Sequence, residues 1–208
     1  MLRTAPALTV LGLLALAAAC AAPSDTSAQV GVDAPAATRT FVPSLPISHP
    51  PYDEFHPSWM QRLDQPYVYV DHTGPYTQTG AHIPVLLREL AAQGLEADGP
   101  PFCLFFDDPA EAPADELRSR ACVPIAGPRS PTAPLEYDVL PSVTVAYAFV
   151  SGPYPDVPRA YPHLLAYMES MNWDVDGPIR ETYIVPPGSA PSPANLLCEI
   201  QVPVRRAD

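Results

Sequence analysis

A chain of 208 residues with 23 acidic and 11 basic side chains, every basic one an arginine, carries a formal charge of −12. Phosphate binding needs a basic face, so this composition excludes nucleic acid as a partner, and the lack of lysine excludes Schiff-base chemistry. Acidity alone favours a cationic ligand only weakly, because surface acid also serves solubility.

Arg3, the apolar run Ala5 to Ala19, and Cys20 followed by Ala21-Ala22-Pro23 predict a signal peptide over residues 1–19. The run is too short for a comfortable membrane-spanning helix. Leu16-Ala17-Ala18-Ala19-Cys20 resembles the bacterial lipobox, with Ala17 where leucine is more usual. The resemblance implies cleavage before Cys20 and acylation of its thiol, a palmitate-type anchor; the alternative is an ordinary signal peptide with a coincidental cysteine. Ala21, not aspartate, follows that cysteine, which resembles outer-membrane sorting in a two-membrane bacterium. Residues 20–58 read as an Ala/Pro/Ser-rich tether, although Phe41, Leu45, Ile47, Tyr52 and Phe55 are available to strap onto a domain. The remainder, 59–208, suits one compact domain.

That domain repeats itself. Pro66–Pro109 lies on Thr144–Pro187 without a gap, so Gly74-Pro75-Tyr76 falls on Gly152-Pro153-Tyr154 and Asp98-Gly99-Pro100 on Asp176-Gly177-Pro178. Matched Gly-Pro punctuation sets matched backbone geometry. Each copy therefore reads as strand, turn, helix, turn, strand, loop, strand, with repeat units at about 59–126 and 135–205. Ile83, Leu86, Leu87 and Leu90 keep helical spacing, as do Tyr161, Leu164, Leu165 and Met168. Pro84 and Pro162 fit first helical turns.

The expected fold is α+β: two pseudo-symmetric βαββ units, antiparallel sheets with one long helix each, and a groove at the pseudo-two-fold. Strand alternation turns Ile200, Val202, Ala146 and Ala148 toward the helices. By the same count Glu199, Glu181, Tyr183, Tyr147 and Phe149 face away, with Tyr69, Cys103 and Phe105 as their first-copy companions. Cys103 and Cys122 fall on strands expected to be neighbours, so a disulfide there competes with two buried thiols.

His72-Thr73-Gly74-Pro75-Tyr76, Phe106-Asp107-Asp108-Pro109, Val150-Ser151-Gly152-Pro153-Tyr154, Arg180-Glu181-Thr182-Tyr183 and Cys198-Glu199-Ile200-Gln201-Val202-Pro203-Val204 stand in the order found in the GyrI-like, AraC-type effector-binding domain family, which this chain resembles. The resemblance implies a duplicated βαββ fold with a concave groove for flat, apolar and often cationic compounds. It also implies that Glu199 answers the cation. Some relatives hydrolyse electrophilic natural products with a groove carboxylate, and a distant branch binds haem. The regulators' helix-turn-helix segment has no counterpart here, so transcriptional control is not carried over.

Glu199 stands among Leu196, Leu197 and Ile200; desolvated, it either raises its pKa or meets a cation. Against that stand an exposed strand margin and a pairing with Arg120. Glu181 adjoins Arg180, so an ion pair competes with a ligand role. Tyr147, Tyr183, Phe149, Tyr69 and Phe105 are candidate stacking residues. No cofactor or metal is expected: the five histidines show no ligand spacing, and no haem-attachment motif or Gly-x-Ser-x-Gly elbow occurs. The reading is an extracytoplasmic, membrane-anchored protein that binds apolar or cationic small molecules. A hydrolase using Glu199 or Glu181 with Tyr183 as hydrogen-bond donor, and a protein-interaction module, are the alternatives.

Overall fold

A computed structural model describes residues 46–207, so the expected signal peptide, Cys20, Phe41 and Leu45 lie outside the described residues. The strands are β1 (Ile47–Ser48), β2 (Ser58–Arg62), β3 (Gln65–Thr73), β4 (Phe102–Phe105), β5 (Arg118–Pro124), β6 (Glu136–Leu140), β7 (Val143–Ser151), β8 (Trp173–Val175), β9 (Ile179–Tyr183) and β10 (Leu197–Arg206). The two helices, α1 (Ile83–Ala92) and α2 (Tyr161–Ser170), each follow a 3₁₀ turn, Tyr76–His82 and Tyr154–Ala160. Every one of these helical bounds falls on its counterpart in the other copy when Pro66 is laid on Thr144. Gly74 and Gly152, with φ of 135° and 120°, reverse the chain before each turn in a conformation that side chains resist. Pro84 and Pro162 sit in the first turns of the helices, where no donor is missed.

The unit β3-α1-β4-β5 is followed by β7-α2-β9-β10, and the expected α+β class with its two pseudo-symmetric halves is what the chain forms. The two sheets foreseen from the sequence run into one, in the order β1-β7-β10-β9-β4-β5-β3-β6, with β2 also on β7 and β8 on β10. The join is the antiparallel β4–β9 pair, Phe102↔Thr182, Cys103↔Glu181 and Leu104↔Arg180. Replacing every residue by its repeat counterpart exchanges the first and third of these pairs and returns the middle one to itself. The pseudo-two-fold therefore passes through Cys103 and Glu181.

The same symmetry governs the leading strands. β2 precedes the first unit but pairs with β7 of the second, Ser58↔Tyr147; β6 precedes the second unit but pairs with β3 of the first, Glu136↔Tyr69. Their connections cross and touch: Ser142 N–H donates to Asp64 Oδ1 at 2.6 Å, and Arg62 Nη2 to the Pro141 carbonyl at 3.3 Å. The sheet thus curls without closing, since β2 and β6 share no ladder. On its outer face Val68, Ala121 and Val123 pack under α1 with Leu86 and Leu90. There too Ala146, Ala148, Ile200 and Val202 pack under α2 with Leu164 and Met168. The inner face buries Tyr67, Tyr69, Phe102, Leu104, Cys122 and Leu140.

The folded part begins by residue 46, before the boundary expected at 59. β1 pairs in parallel with β7, and Tyr52, 3% exposed, enters the core under α2 while Phe55 packs beside it. Burying the Tyr52 ring and half-burying Phe55 gives this segment the apolar area that a tether lacks.

Tyr52→Ala is expected to destabilise the domain by about 3 kcal/mol, the usual cost of removing a buried ring. Leu63→Ala, at a side chain 75% exposed, should change it by less than about 0.5 kcal/mol. Denaturant midpoints of the two variants would decide this; equal midpoints would make the segment before β2 a passenger.

Candidate functional site

On the outer face the axis is marked by a buried carboxylate. Glu181 is 6% exposed, and its two oxygens accept hydrogen bonds from the Tyr161 hydroxyl at 2.5 Å and the Tyr183 hydroxyl at 3.0 Å. Among the described residues no arginine or histidine forms an ion pair with it. Burial pushes its pKa above the usual carboxylate value, and the two tyrosine hydrogen bonds oppose that shift. Cys103 across the ladder is also desolvated, which raises its thiol to about 12; the neighbouring carboxylate adds to the shift.

Aromatic rings flank this pair symmetrically. Tyr76 meets Phe105 at 4.7 Å between centroids and 55°, and Tyr154 meets Tyr183 at 4.7 Å and 54°. Both members of the second pair are the repeat counterparts of the first. Tyr76 is fixed by bonds with Asp107: its hydroxyl donates to the carbonyl and accepts the backbone N–H, both at 2.8 Å. Tyr154 donates to the Val185 and Leu197 carbonyls. All four rings, with Ile83 and Tyr161 at the helix starts, are half-buried. The result is a band of aromatic rings on both sides of the axis, with a carboxylate buried beneath it. Its halves are unequal, since Tyr161, Glu181 and Tyr183 replace Ile83, Cys103 and Phe105.

Glu199 lies on the other side of the sheet. Its ladder partners are Thr182 and Phe149, so it faces inward with Tyr69, Phe102 and Arg180, and it is half-buried. Burial is the largest influence on its pKa and pushes it up, while a Gln201 hydrogen bond and the charges of Arg180 and Arg62 pull it down. Arg120 is engaged elsewhere, with Asp71 at 3.0 Å, Asp138 at 2.8 Å and the Tyr67 hydroxyl at 2.8 Å, so it does not pair with Glu199. Tyr147 and Phe149 line a cavity of about 390 Å³ on this side, with Pro46, Phe55, His56, Pro57 and Ser58 completing its wall.

The sequence-predicted set therefore divides. Glu199, Tyr147, Phe149 and Tyr69 share the inner face; Glu181, Tyr183 and Phe105 share the outer face, under the helices rather than away from them. The reason is register: Ile200 and Cys198, which pack under α2, are the ladder partners of Glu181 and Tyr183, and ladder partners share a side. Tyr161, Tyr76 and Tyr154 were not foreseen as site residues, yet each sits at a position fixed by the repeat. Cys103 and Cys122 leave opposite faces, since Cys122 pairs with Phe102 and Cys103 with Ala121, and both are free, buried thiols. Among the described residues no three metal-ligating side chains cluster.

Two βαββ units fused through one continuous sheet define the class of fold. The chain belongs to the GyrI-like small molecule binding domain family, whose model matches residues 61–205. Among solved structures, the EcmrR C-terminal domain matches with 19% identity over 74% of this chain and 99% of that one, at a TM-score of 0.67. EcmrR in its DNA complex matches with 19% identity and a TM-score of 0.66, and there the 74% of this chain that aligns spans 58% of the relative's length. SAV2435, solved bound to tetraphenylphosphonium, matches with 16% identity over 72% of this chain and 94% of that one, at a TM-score of 0.50. At these identities the likeness is one of fold. No curated protein matches the sequence.

Because the folded state holds the Glu181 proton more tightly than the unfolded chain does, ionisation works against folding. Stability is complete below the unfolded carboxyl pKa near about 4.3 and falls as pH rises toward the higher folded value, levelling once the folded group has ionised. Glu181→Gln lacks this decline. Its Tm is therefore expected to gain on the wild type between about pH 4 and about pH 7, and a difference that stays constant over that range in thermal unfolding would show that Glu181 titrates normally.

Proposed function

We propose that this aromatic band on the outer face forms a trough that is the ligand site, and that it binds apolar small molecules carrying one cationic or hydrogen-bond-donating end. One observation carries this: Glu181 is buried without a cationic partner, beneath half-buried aromatic rings. A buried carboxylate held only by two hydroxyls is costly to ionise, and an incoming cation removes that cost. The rings supply stacking area and cation–π attraction. Glu199 is the weaker candidate for meeting a cation, because Arg62 and Arg180 already oppose its charge. The inequality of the trough orients the ligand, with its polar end toward Tyr161 and Tyr183 and its apolar body toward Ile83, Phe105 and Tyr76. SAV2435, which shares the fold, was solved with a lipophilic cation, and that supports the chemical class.

The same reading places the protein in the cell envelope, held by a lipid on Cys20 after cleavage of residues 1–19. The lipobox-like Leu16–Cys20 supports this. A single acyl chain holds a protein only marginally, so the multiple chains of a lipoprotein anchor are what would retain it.

Tetraphenylphosphonium and a planar cationic dye are expected to bind the protein with roughly micromolar Kd. Glu181→Gln should weaken both about tenfold or more while leaving a neutral analogue of similar shape unchanged, and Tyr183→Ala should weaken all three. Calorimetric titration measures this; cation binding lost in Glu199→Gln but kept in Glu181→Gln would move the site to the inner face. Recovery of altered ligand after incubation would replace binding by turnover. Cys20→Ser, expressed with the native leader, should leave the membrane fraction, and continued co-sedimentation with membranes would remove the anchor from this reading.

A further inference from the structure

The inner face holds a polar cluster that the trough does not use. Arg62 and Arg180 are 8% and 6% exposed. Arg62 gives Nη2 to the Pro141 carbonyl at 3.3 Å, and Arg180 gives Nη1 to Gln65 Oε1 at 2.5 Å. Three further guanidinium nitrogens, Arg62 Nε, Arg62 Nη1 and Arg180 Nε, are buried without any hydrogen-bond partner, and so are Thr182 Oγ1 and Gln201 Oε1. Arg180 lies over the Phe102 ring at 4.1 Å, which steadies its charge but leaves its in-plane Nε–H unanswered.

The charges in this cluster do not cancel. Arg180 holds Gln65, whose ladder partner Leu140 precedes the Pro141 that accepts from Arg62, so both guanidiniums reach the same corner of the inner face; Glu199 is the carboxylate that acts on both. No carboxylate oxygen among the described residues lies within ion-pair distance of either guanidinium. Asp71 and Asp138, also on this face, are held by Arg120, and Glu136 accepts the Tyr69 hydroxyl at 3.0 Å. Those three carboxylates outnumber Arg120 but lie at the exposed end of the face; within the buried cluster two cations against one carboxylate leave a single positive charge and several donors unsatisfied. Breaking or omitting the partner of a buried charge is the costly arrangement, whereas a bound counter-ion that accepts those donors removes the cost.

We propose that the Arg62–Arg180 pair is a binding site for a small monoanion, of the size of formate or chloride, inside the curled sheet. Guanidinium N–H groups donate to the anion, and the Thr182 hydroxyl is placed on the same ladder row as Glu199 to add a further donor. The uncompensated charge is single, so a monoanion is selected over a dianion such as sulfate. Glu199, half-buried on the same face, stands where it opposes the anion and limits its affinity.

Chloride NMR line width, measured on the full chain in sulfate buffer, tests this. Saturable broadening that formate reverses and added sulfate does not is expected for the wild type. It should vanish in Arg62→Met and in Arg180→Met, while Arg205→Met, at an exposed arginine beside Asp174, keeps it. A methionine in place of a buried cation is compatible with folding, and Glu199→Gln provides an arm that leaves both arginines intact: it should tighten chloride about tenfold by removing the opposing charge. Absence of saturable broadening in the wild type, broadening that survives both arginine variants, or weaker binding in Glu199→Gln would each overturn the proposal. Tetraphenylphosphonium binding in Arg62→Met should match the wild type, which separates this site from the trough.

Discussion

The β4–β9 pairing is the constraint on which the rest of the molecule depends. Each βαββ unit alone would end in a strand with one unpaired edge, β4 in the first copy and β9 in the second, and an unpaired edge leaves a row of backbone donors and acceptors open. Joining the edges antiparallel satisfies both rows at once. It also forces two-fold symmetry, because the pairing must look the same from either strand. From that follow the axial placement of Cys103 and Glu181, the equal distances of Phe105 and Tyr183 from it, and the position of the helix starts on either side.

A site on such an axis is built twice unless the copies diverge. Here the copies have diverged widely, agreeing at 11 of the 44 aligned positions, and the shared ones are mainly turn and helix residues. The scaffold pairs Gly74 with Gly152, Pro84 with Pro162 and Tyr76 with Tyr154, whereas the floor exchanges Cys103 for Glu181, Ile83 for Tyr161 and Phe105 for Tyr183. One half thus keeps an apolar surface and the other acquires a carboxylate with the two hydroxyls that hold it. The three changes belong together: a buried carboxylate without donors would be far more costly than one with them.

The duplication was legible because Gly-Pro punctuation and helical periodicity are local properties of the chain. The outward sides of β7 and β10 were legible too, since Ala146, Ala148, Ile200 and Val202 are apolar residues alternating with others. β9 was not, because Arg180, Glu181, Thr182 and Tyr183 contain no apolar alternation to fix its side. The alternation count turned Glu181 away from the helix, and only the pairing of Glu181 with Ile200 decides otherwise. Arg62 is a further case. Its strand belongs to the first unit in sequence and to the second in space, so nothing local to it indicates that Arg180, far along the chain, is a neighbour.

Arg180 and Glu181 show why adjacency in sequence misleads within a strand. Side by side in the chain, with opposite charges, they read as an ion pair. Successive side chains of a strand leave opposite faces of the sheet, so the backbone itself separates them, and Arg180 turns to Phe102 and Gln65 while Glu181 turns to Tyr161 and Tyr183. Neither charge neutralises the other. Glu181 is left on the outer face with two hydroxyls, and Arg180 on the inner face beside a ring, an amide and the carboxylate field of Glu199, with the sheet as the partition between them. Alternation along β9 therefore decides which charge each side presents, before any question of shape arises.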